Sequence, residues 1–188
     1  MIDAGEMFPM NWRFFPSLDP QVDIFLSRDL DSRFGDRELA AVQEWLHSDY
    51  AFHFMRDHPL HNVTVLGSTW GSKLTNTQIR SNWREAWKKG IKDDILWAPR
   101  QSWGPDQKFL DKYVWPWAKA NCISHDSFYC EFYPNTRAFP TQRLYESMNF
   151  LSSRITSNGT HWWPGDRLLW RECPEKCRPP HHPNWKHC

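Results

Sequence analysis

The feature that most constrains the fold is a short apolar run that ends in two carboxylates. Residues 22–28, "VDIFLSR", predict a buried strand, and Asp29 and Asp31 follow at its end. Two carboxylates about 6 Å apart repel by roughly 3 kcal/mol at an effective dielectric of about 20. Something near the segment must therefore offset this repulsion.

A divalent ion is one way to offset this repulsion. In an extended strand alternate side chains share a face, so Asp29 and Asp31 would point the same way. Mg²⁺ and Mn²⁺ prefer carboxylate oxygens, and ligands of open α/β sheets bind at strand ends. The alternative is that both acids are solvated loop residues, or that Arg33 and Arg37 pair with them. The D-x-D pattern alone leaves both interpretations open.

Alternating strand and helix patterns predict an α/β domain. The order of the predicted elements is β-α-β-β-α-α, followed by an irregular tail rich in Cys, Pro and Trp. The predicted elements are a strand at 22–28, a helix at 36–47, a strand at 51–57, a β-rich run at 63–73, a helix ending near Gly90, and a helix from Gly104 to Pro116. Leu39, Val42, Trp45 and Leu46 are expected to face inward on the first helix, and Ile79, Trp83 and Trp87 on the second.

Length and charge narrow the classes of function. A chain of 188 residues is long enough for one domain with a substantial core. A net charge of +1 gives no general attraction to nucleic acid. No apolar run approaches the roughly 18–20 residues that cross a bilayer. We therefore expect no nucleic-acid partner and no membrane segment in this chain.

Five cysteines predict disulfides. Cys122 and Cys130 bracket a short segment, and Cys173, Cys177 and Cys188 lie in the tail. We expect a Cys122–Cys130 disulfide and a second one between two tail cysteines, which leaves one thiol over. A zinc site in the tail is the alternative, although its C-x3-C spacing is looser than that of a zinc knuckle.

Two N-glycosylation sequons favour the same compartment as the disulfides. They are Asn62-Val63-Thr64 and Asn158-Gly159-Thr160. Together with clustered cysteines they favour the secretory pathway, either the Golgi lumen or the exterior. The first residues of the chain lack the basic and then apolar pattern of a signal peptide, which argues against that location.

The segment "FLSRDLDSR" resembles the D-x-D segment of nucleotide-sugar-dependent glycosyltransferases of the GT-A fold. More narrowly, it resembles a little-characterised group whose strand ends in R-D-x-D-S-R. Further segments occur in the order found in that group and span roughly residues 11–145: "EWLHSDYAFHFMRDHP", "VLGSTWGSK", "DQKFLDKYVWP", "HDSFYC" and "FPTQR". One departure is that a double glycine is expected before the tryptophan, where this chain has Gly67-Ser68-Thr69-Trp70.

The resemblance implies a fold and a reaction. The expected fold is α/β and GT-A-like (Rossmann-like), with residues 1–150 a partial catalytic domain and residues 151–188 a Cys/Trp-rich extension packed on it. The expected reaction transfers a sugar from a nucleotide-sugar donor to a glycan or protein acceptor. A divalent ion would act as a Lewis acid on the leaving nucleoside diphosphate.

The resemblance also implies a metal site. Asp31 would ligate Mn²⁺ or Mg²⁺, and Asp29 would contact the donor ribose or a metal-bound water. His125 is expected as a late ligand, with Asp126 as the second choice. The alternative for His125 is a polar loop residue beside the cysteine pair.

The remaining implied residues contact substrate. Asp106 and Gln107, at a predicted helix start, would face the sugar, and Asp106 would hydrogen-bond its hydroxyls or act as a base if the reaction inverts. The alternative for Asp106 is that it stabilises the first turn of its own helix. Trp70 and Trp103 are the tryptophans expected to stack on a sugar ring. The other expected substrate contacts are Arg28, Asp29 and Gly67.

One further expectation concerns completeness. Only about twenty residues precede the predicted D-x-D strand, where GT-A enzymes place their nucleotide-binding strands. We therefore expect an incomplete catalytic domain with an open sheet edge, inactive and prone to associate as an isolated chain. The alternative function is a non-catalytic secreted carbohydrate-binding module, or an interaction module stabilised by disulfides or zinc.

Overall fold

A five-stranded mixed sheet organises residues 5–97, 104–143, 150–158, 161–162 and 171–188, which are those that the computed structural model describes. Its strands are β1 (Ile24–Ser27), β2 (Phe52–Arg56), β3 (Trp70–Lys73), β4 (Cys122–Asp126) and β5 (Thr136–Arg137). The order across the sheet is β1-β3-β2-β4-β5. β3 is antiparallel to both β1 and β2, whereas β4 is parallel to both β2 and β5. A mixed α/β fold, as predicted, is thus confirmed.

The helices cover both faces of this sheet. Phe52 of β2 packs on Trp83 from one side, and the neighbouring His53 stacks on Trp45 from the other. The helices are α1 (Asp36–Leu46), α2 (Thr77–Lys92), α3 (Pro105–Phe109) and α4 (Trp115–Ala118), with 3₁₀ segments at Pro9–Leu18, Ile95–Trp97, Lys119–Asn121 and Glu175–Cys177. A two-stranded sheet joins β6 (Arg154–Ile155) to β7 (His161–Trp162). None of the helices in the described ranges combines the length and apolarity needed to cross a bilayer.

The order β-α-β-β-α-α is confirmed, but two strand predictions need correction. β3 begins only at Trp70, because residues 63–69 form a loop. That loop is fixed by Arg56, whose guanidinium donates to the carbonyls of Val63 and Thr64. β4 is a fully buried strand beside β2, although it lies in the part of the chain that the sequence predicts to be irregular.

β1 is an edge strand with only one buried face, so the prediction of a buried strand holds for that face alone. Its one pairing among the described strands is with β3. Phe25 and Ser27 are buried, whereas Ile24 and Leu26 are 44% and 38% exposed. The alternation follows from the pleat, because one face of β1 meets the core and the other meets solvent.

Helix α2 follows its sequence pattern closely. Asn76 caps its start by accepting from the backbone N–H groups of Gln78 and Ile79. The residues expected to face inward, Ile79, Trp83 and Trp87, are all buried. The helix runs past Gly90 to Lys92, so this glycine does not end it. Gly90 instead admits the ring of Phe109, which would lie 2.7 Å from a Cβ at that position.

Two helices depart from their predicted details. In α1, Val42 and Trp45 are buried as expected, but Leu39 and Leu46 are exposed and Glu38 is buried in their place. The helix predicted to stop at Pro116 continues to the end of α4. A π-helical turn at Leu110–Val114 joins α3 to α4, so Pro116 falls in the first turn of α4, where its missing N–H is tolerated.

The disulfides confirm one pairing prediction and contradict the other. Cys173 pairs with Cys188 within the tail, and Cys130 pairs with Cys177. Cys122 is free and buried, so the predicted Cys122–Cys130 bond is wrong. Cys122 begins the extended strand β4 and Cys130 lies beyond its end, which keeps the two thiols apart. The disulfides are compatible with a secreted or lumenal protein.

Candidate functional site

The D-x-D segment turns as soon as it leaves β1. The backbone N–H and the hydroxyl of Ser32 both donate to the carbonyl of Asp29, at 3.4 and 2.9 Å. The extended geometry that would place both acids on one face therefore ends before Asp31. Their carboxylates pair with different arginines: Asp29 Oδ1 lies 3.0 Å from Arg13, and Asp31 Oδ2 lies 3.5 Å from Arg154.

The basic residues that offset the two acids are not those expected from the sequence. Arg13 and Arg154 take the places suggested for Arg33 and Arg37. Arg37 instead pairs with the buried Asp57, at 2.9 Å. Arginine partners from distant segments thus supply part of the compensating charge.

Arg13 brings Asp29 and Asp106 together. Its Nη1 atom lies 3.6 Å from Asp106 Oδ2, while its Nη2 atom donates to Asp29 Oδ1. Arg13 belongs to the 3₁₀ segment Pro9–Leu18, which packs against α2 and α3. Sequence reasoning missed this residue, because it lies in no motif and its partners are remote in the chain.

Asp106 is a buried acid with an unusual environment. It lies in the first turn of α3, directly after Gly104-Pro105, and is 1% exposed. Burial raises the pKa of its carboxyl group, and the nearby Arg13 opposes that rise. Oδ1 has no hydrogen-bond partner among the described residues. A carboxyl with a raised pKa and a spare oxygen is suited to bind a hydroxyl group or to accept its proton.

Gly67 makes room for this pair. A Cβ atom on Gly67 would lie 2.7 Å from Asp106 Oδ2 and 2.9 Å from Arg13 Nη1. The Gly67 carbonyl accepts from the hydroxyl of Ser27 at 2.6 Å and from the indole of Trp70 at 3.1 Å. These bonds attach the loop before β3 to the end of β1.

Arg28 and Trp70 support the site from inside. Arg28 donates to the carbonyls of Ser27 and Trp70, at 2.6 and 2.9 Å, and pairs with Glu38 of α1. Burial lowers the pKa of Arg28 and raises that of Glu38, while the ion pair opposes both shifts. Trp70 is fully buried, with its ring stacked on Trp83, so it is a core residue rather than a surface for a sugar. Trp103 lies outside the described residues.

His125 lies in a different cluster. Its Nδ1 is 2.8 Å from Nε2 of His53, and its Nε2 is 3.2 Å from Oε2 of Glu44. Burial lowers the pKa of His125, and Glu44 opposes the shift. No acid of the D-x-D segment is among its hydrogen-bond partners in the described part of the chain. Asp126, the second choice, is buried 3.5 Å from Arg56 and accepts from the backbone of Phe128.

Among the described residues, no group of three or more His, Cys, Asp or Glu side chains is arranged so that it could bind a metal ion. The side chains of Asp29 and Asp31 are 38% and 55% exposed. Oxygen ligands of this kind suit a Mg²⁺ or Mn²⁺ ion that keeps places for water and phosphate.

Gln107 lines a cleft beside Asp106. The cleft has a volume of about 380 Å³, and Gln107 shares it with Lys108, Asp111, Tyr133 and the loop at 62–65. The buried Oε1 of Gln107 has no hydrogen-bond partner among the described residues. Two neighbouring residues at the start of α3 therefore face different regions: Asp106 lies beside Arg13, and Gln107 lines the cleft.

No protein-family model, curated protein or solved structure matches this chain. A functional assignment consequently depends on the residues and their geometry. The structure brings together Arg28, Asp29, Gly67, Trp70 and Asp106 around Arg13 and Ser27, and it places His125 elsewhere.

Proposed function

We propose that this chain carries the D-x-D part of a nucleotide-sugar transferase that uses a glycan or a protein as acceptor. The observation that supports the proposal best is the convergence of Asp29, Gly67 and Asp106 on Arg13. These three residues come from three separate segments that resemble the glycosyltransferase group. Their contact in space is what a shared donor site requires.

The positive charge that a sugar diphosphate needs would come from Arg13 together with a divalent ion, because the partners of Arg13 here, Asp29 and Asp106, are both acids. The Arg13 guanidinium is half-buried, and its planar donors match the oxygens of a phosphate group. In the donor complex Arg13 would bind the diphosphate while it still holds Asp29. Asp106 would then bind a sugar or acceptor hydroxyl with Oδ1, the oxygen that has no partner among the described residues.

The chemistry of the acids fits a divalent ion bound jointly with the donor. Asp29 and Asp31 would supply carboxylate oxygens, and the diphosphate and water would supply the rest. A bound Mn²⁺ or Mg²⁺ ion neutralises the charge of a leaving nucleoside diphosphate. His125 does not fit this ligand set, because His53 and Glu44 engage its two ring nitrogens.

Calorimetry with Mn²⁺ and uridine or guanosine diphosphate tests the proposal. The parent chain is expected to give a binding signal that Asp31→Ala and Asp29→Asn abolish. Asp23→Asn is the matched control, since Asp23 is an exposed acid just before β1 that pairs with Arg80. Binding by Asp31→Ala that equals the parent would contradict the assignment. Glycan binding that persists in the presence of a chelator would favour the carbohydrate-binding alternative.

A further inference from the structure

We propose that Asn62 carries an N-linked glycan at the rim of the cleft beside α3. Asn62 begins the sequon Asn62-Val63-Thr64, which has no proline at its middle position. A sequon is a weak signal by itself. Exposure, side-chain contacts, space and the state of the cysteines each support this site independently.

The acceptor asparagine lies on an exposed, well-held loop. Asn62 is exposed and lies between β2 and β3 in the segment that has no regular structure. Arg56 fixes the backbone on its C-terminal side, donating to the Val63 carbonyl at 2.6 Å and to that of Thr64. Because the loop is held from beneath, a bulky group on Asn62 projects from the surface without displacing core residues.

The hydrogen bonds that Asn62 and Thr64 make are compatible with a glycan on Asn62. The hydroxyl of Tyr133 donates to Oδ1 of Asn62 at 3.1 Å, whereas the sugar is attached to Nδ2. A glycosylated amide keeps its carbonyl oxygen, so this bond survives the modification. The Thr64 hydroxyl, the second group that a sequon requires, donates to Asp111 at 2.8 Å.

The cleft next to Asn62 has room and suitable walls for the first sugar. It measures about 380 Å³, and Asn62 lies in its wall with Gln107, Lys108 and Tyr133. An aromatic ring beside amide and ammonium groups offers both the apolar face and the hydrogen bonds that a pyranose ring uses.

The disulfides indicate the compartment in which this modification occurs. Cys130–Cys177 and Cys173–Cys188 form stably in an oxidising lumen. There, a lipid-linked diphosphate oligosaccharide is the donor. The bond between Nδ2 of Asn62 and C1 of the first sugar forms, the bond from C1 to the lipid diphosphate breaks, and one amide proton is released. A cellular transferase performs this step, so the inference is independent of the activity proposed above.

The second sequon serves as a comparison. Asn158 is exposed, but Gly159 and Thr160 lie outside the described residues. The structural arguments made for Asn62 therefore apply to Asn62 alone.

The test is peptide mapping of the full chain directed into the secretory pathway of eukaryotic cells and recovered from lumen and medium. Peptide N-glycosidase in heavy-oxygen water converts a glycosylated asparagine to labelled aspartate. Trypsin then releases residues 57–73, which contain Asn62 and no internal lysine or arginine. We expect this peptide to carry the label, and Asn62→Gln to remove one glycan from the intact protein.

Three variants distinguish loss of the sequon from loss of the hydrogen bond between Thr64 and Asp111. Thr64→Ala is expected to abolish the label, whereas Thr64→Ser keeps a hydroxyl and should retain it. Asp111→Ala is the matched control, because it removes the same hydrogen bond and leaves the sequon intact. An unlabelled 57–73 peptide from disulfide-bonded parent protein overturns the proposal, as does a label that survives in Thr64→Ala.

Discussion

Gly67 lies so close to Asp106 that a Cβ atom on it would meet Oδ2 of the carboxylate at 2.7 Å. The glycine is in the loop before β3, and the acid is in the first turn of α3. The Asp106 carboxylate can therefore take this position only because Gly67 has no side chain.

A methyl group at Gly67 is the sharpest test of this relationship. Gly67→Ala should displace the Asp106 carboxylate and the Arg13 guanidinium, lower stability by about 1–3 kcal/mol and weaken binding of nucleoside diphosphate with Mn²⁺. Chemical denaturation and calorimetry measure the two effects. Gly35→Ala is the control, because a Cβ there would meet nothing within 4 Å. Equal behaviour of the two variants would mean that the close approach has no consequence.

The buried carboxyl of Asp106 also predicts a pH dependence. Burial raises its pKa above the ordinary 3.8, so the native protein binds a proton more readily than the unfolded chain. The stability that this group contributes is present below pH 3.8 and is lost as the pH rises through the native pKa. Asp106→Asn cannot ionise and should avoid this loss.

Urea denaturation of the parent and of Asp106→Asn over a series of pH values provides the measurement. We expect the stability of the variant, relative to the parent, to increase as the pH rises above 3.8. Asp57→Asn should show the opposite trend, with a stability relative to the parent that decreases as the pH rises. Burial raises the pKa of Asp57, but Arg143 and Arg37 outweigh this effect and hold the pKa at about 2. A relative stability of Asp106→Asn that is constant with pH would contradict the raised pKa of this carboxyl group.

Local patterns predicted what depends on local structure. The inward positions Ile79, Trp83 and Trp87 could be predicted because a helix buries every third or fourth residue. Pro105 likewise predicted the start of α3, since proline favours the first turn of a helix.

Features that depend on remote partners were missed. Arg13 joins Asp29 to Asp106 through space, and no spacing in the sequence indicates this. Cys130 pairs with Cys177 rather than with its neighbour in sequence, since an extended strand separates the latter pair.

The histidine pair beneath α1 predicts a loss of stability in acid. Burial lowers the pKa of both His53 and His125 below the ordinary 6.5, so the unfolded chain binds protons more readily than the native protein. Their contribution is complete above pH 6.5 and is lost as the pH falls through the native pKa values. The charged groups around the pair are Glu44, Arg28, Arg37 and Arg137.

His53→Gln removes one of the two groups and should therefore lose less stability than the parent between pH 7 and pH 5, roughly the range in which an unperturbed histidine titrates. Thermal denaturation at intervals across this range measures the difference. His47→Gln, at an exposed position just beyond α1, tests whether any histidine substitution has the same effect. Identical acid sensitivity of parent and His53→Gln would show that this imidazole is not buried in its neutral form.

The last prediction concerns the disulfide that joins the tail to the sheet region. Cys130–Cys177 closes a loop of 47 residues and Cys173–Cys188 one of 15. Chain-entropy arguments give about 4 kcal/mol for the first and about 3 kcal/mol for the second. We therefore expect Cys130→Ser/Cys177→Ser to lose more stability than Cys173→Ser/Cys188→Ser, as measured by chemical denaturation. Cys122→Ser alone should leave both bonds in place in non-reducing peptide maps, because that thiol is buried and free. A linked Cys122–Cys130 peptide in the parent would show that the two segments lie closer than the extended strand β4 allows.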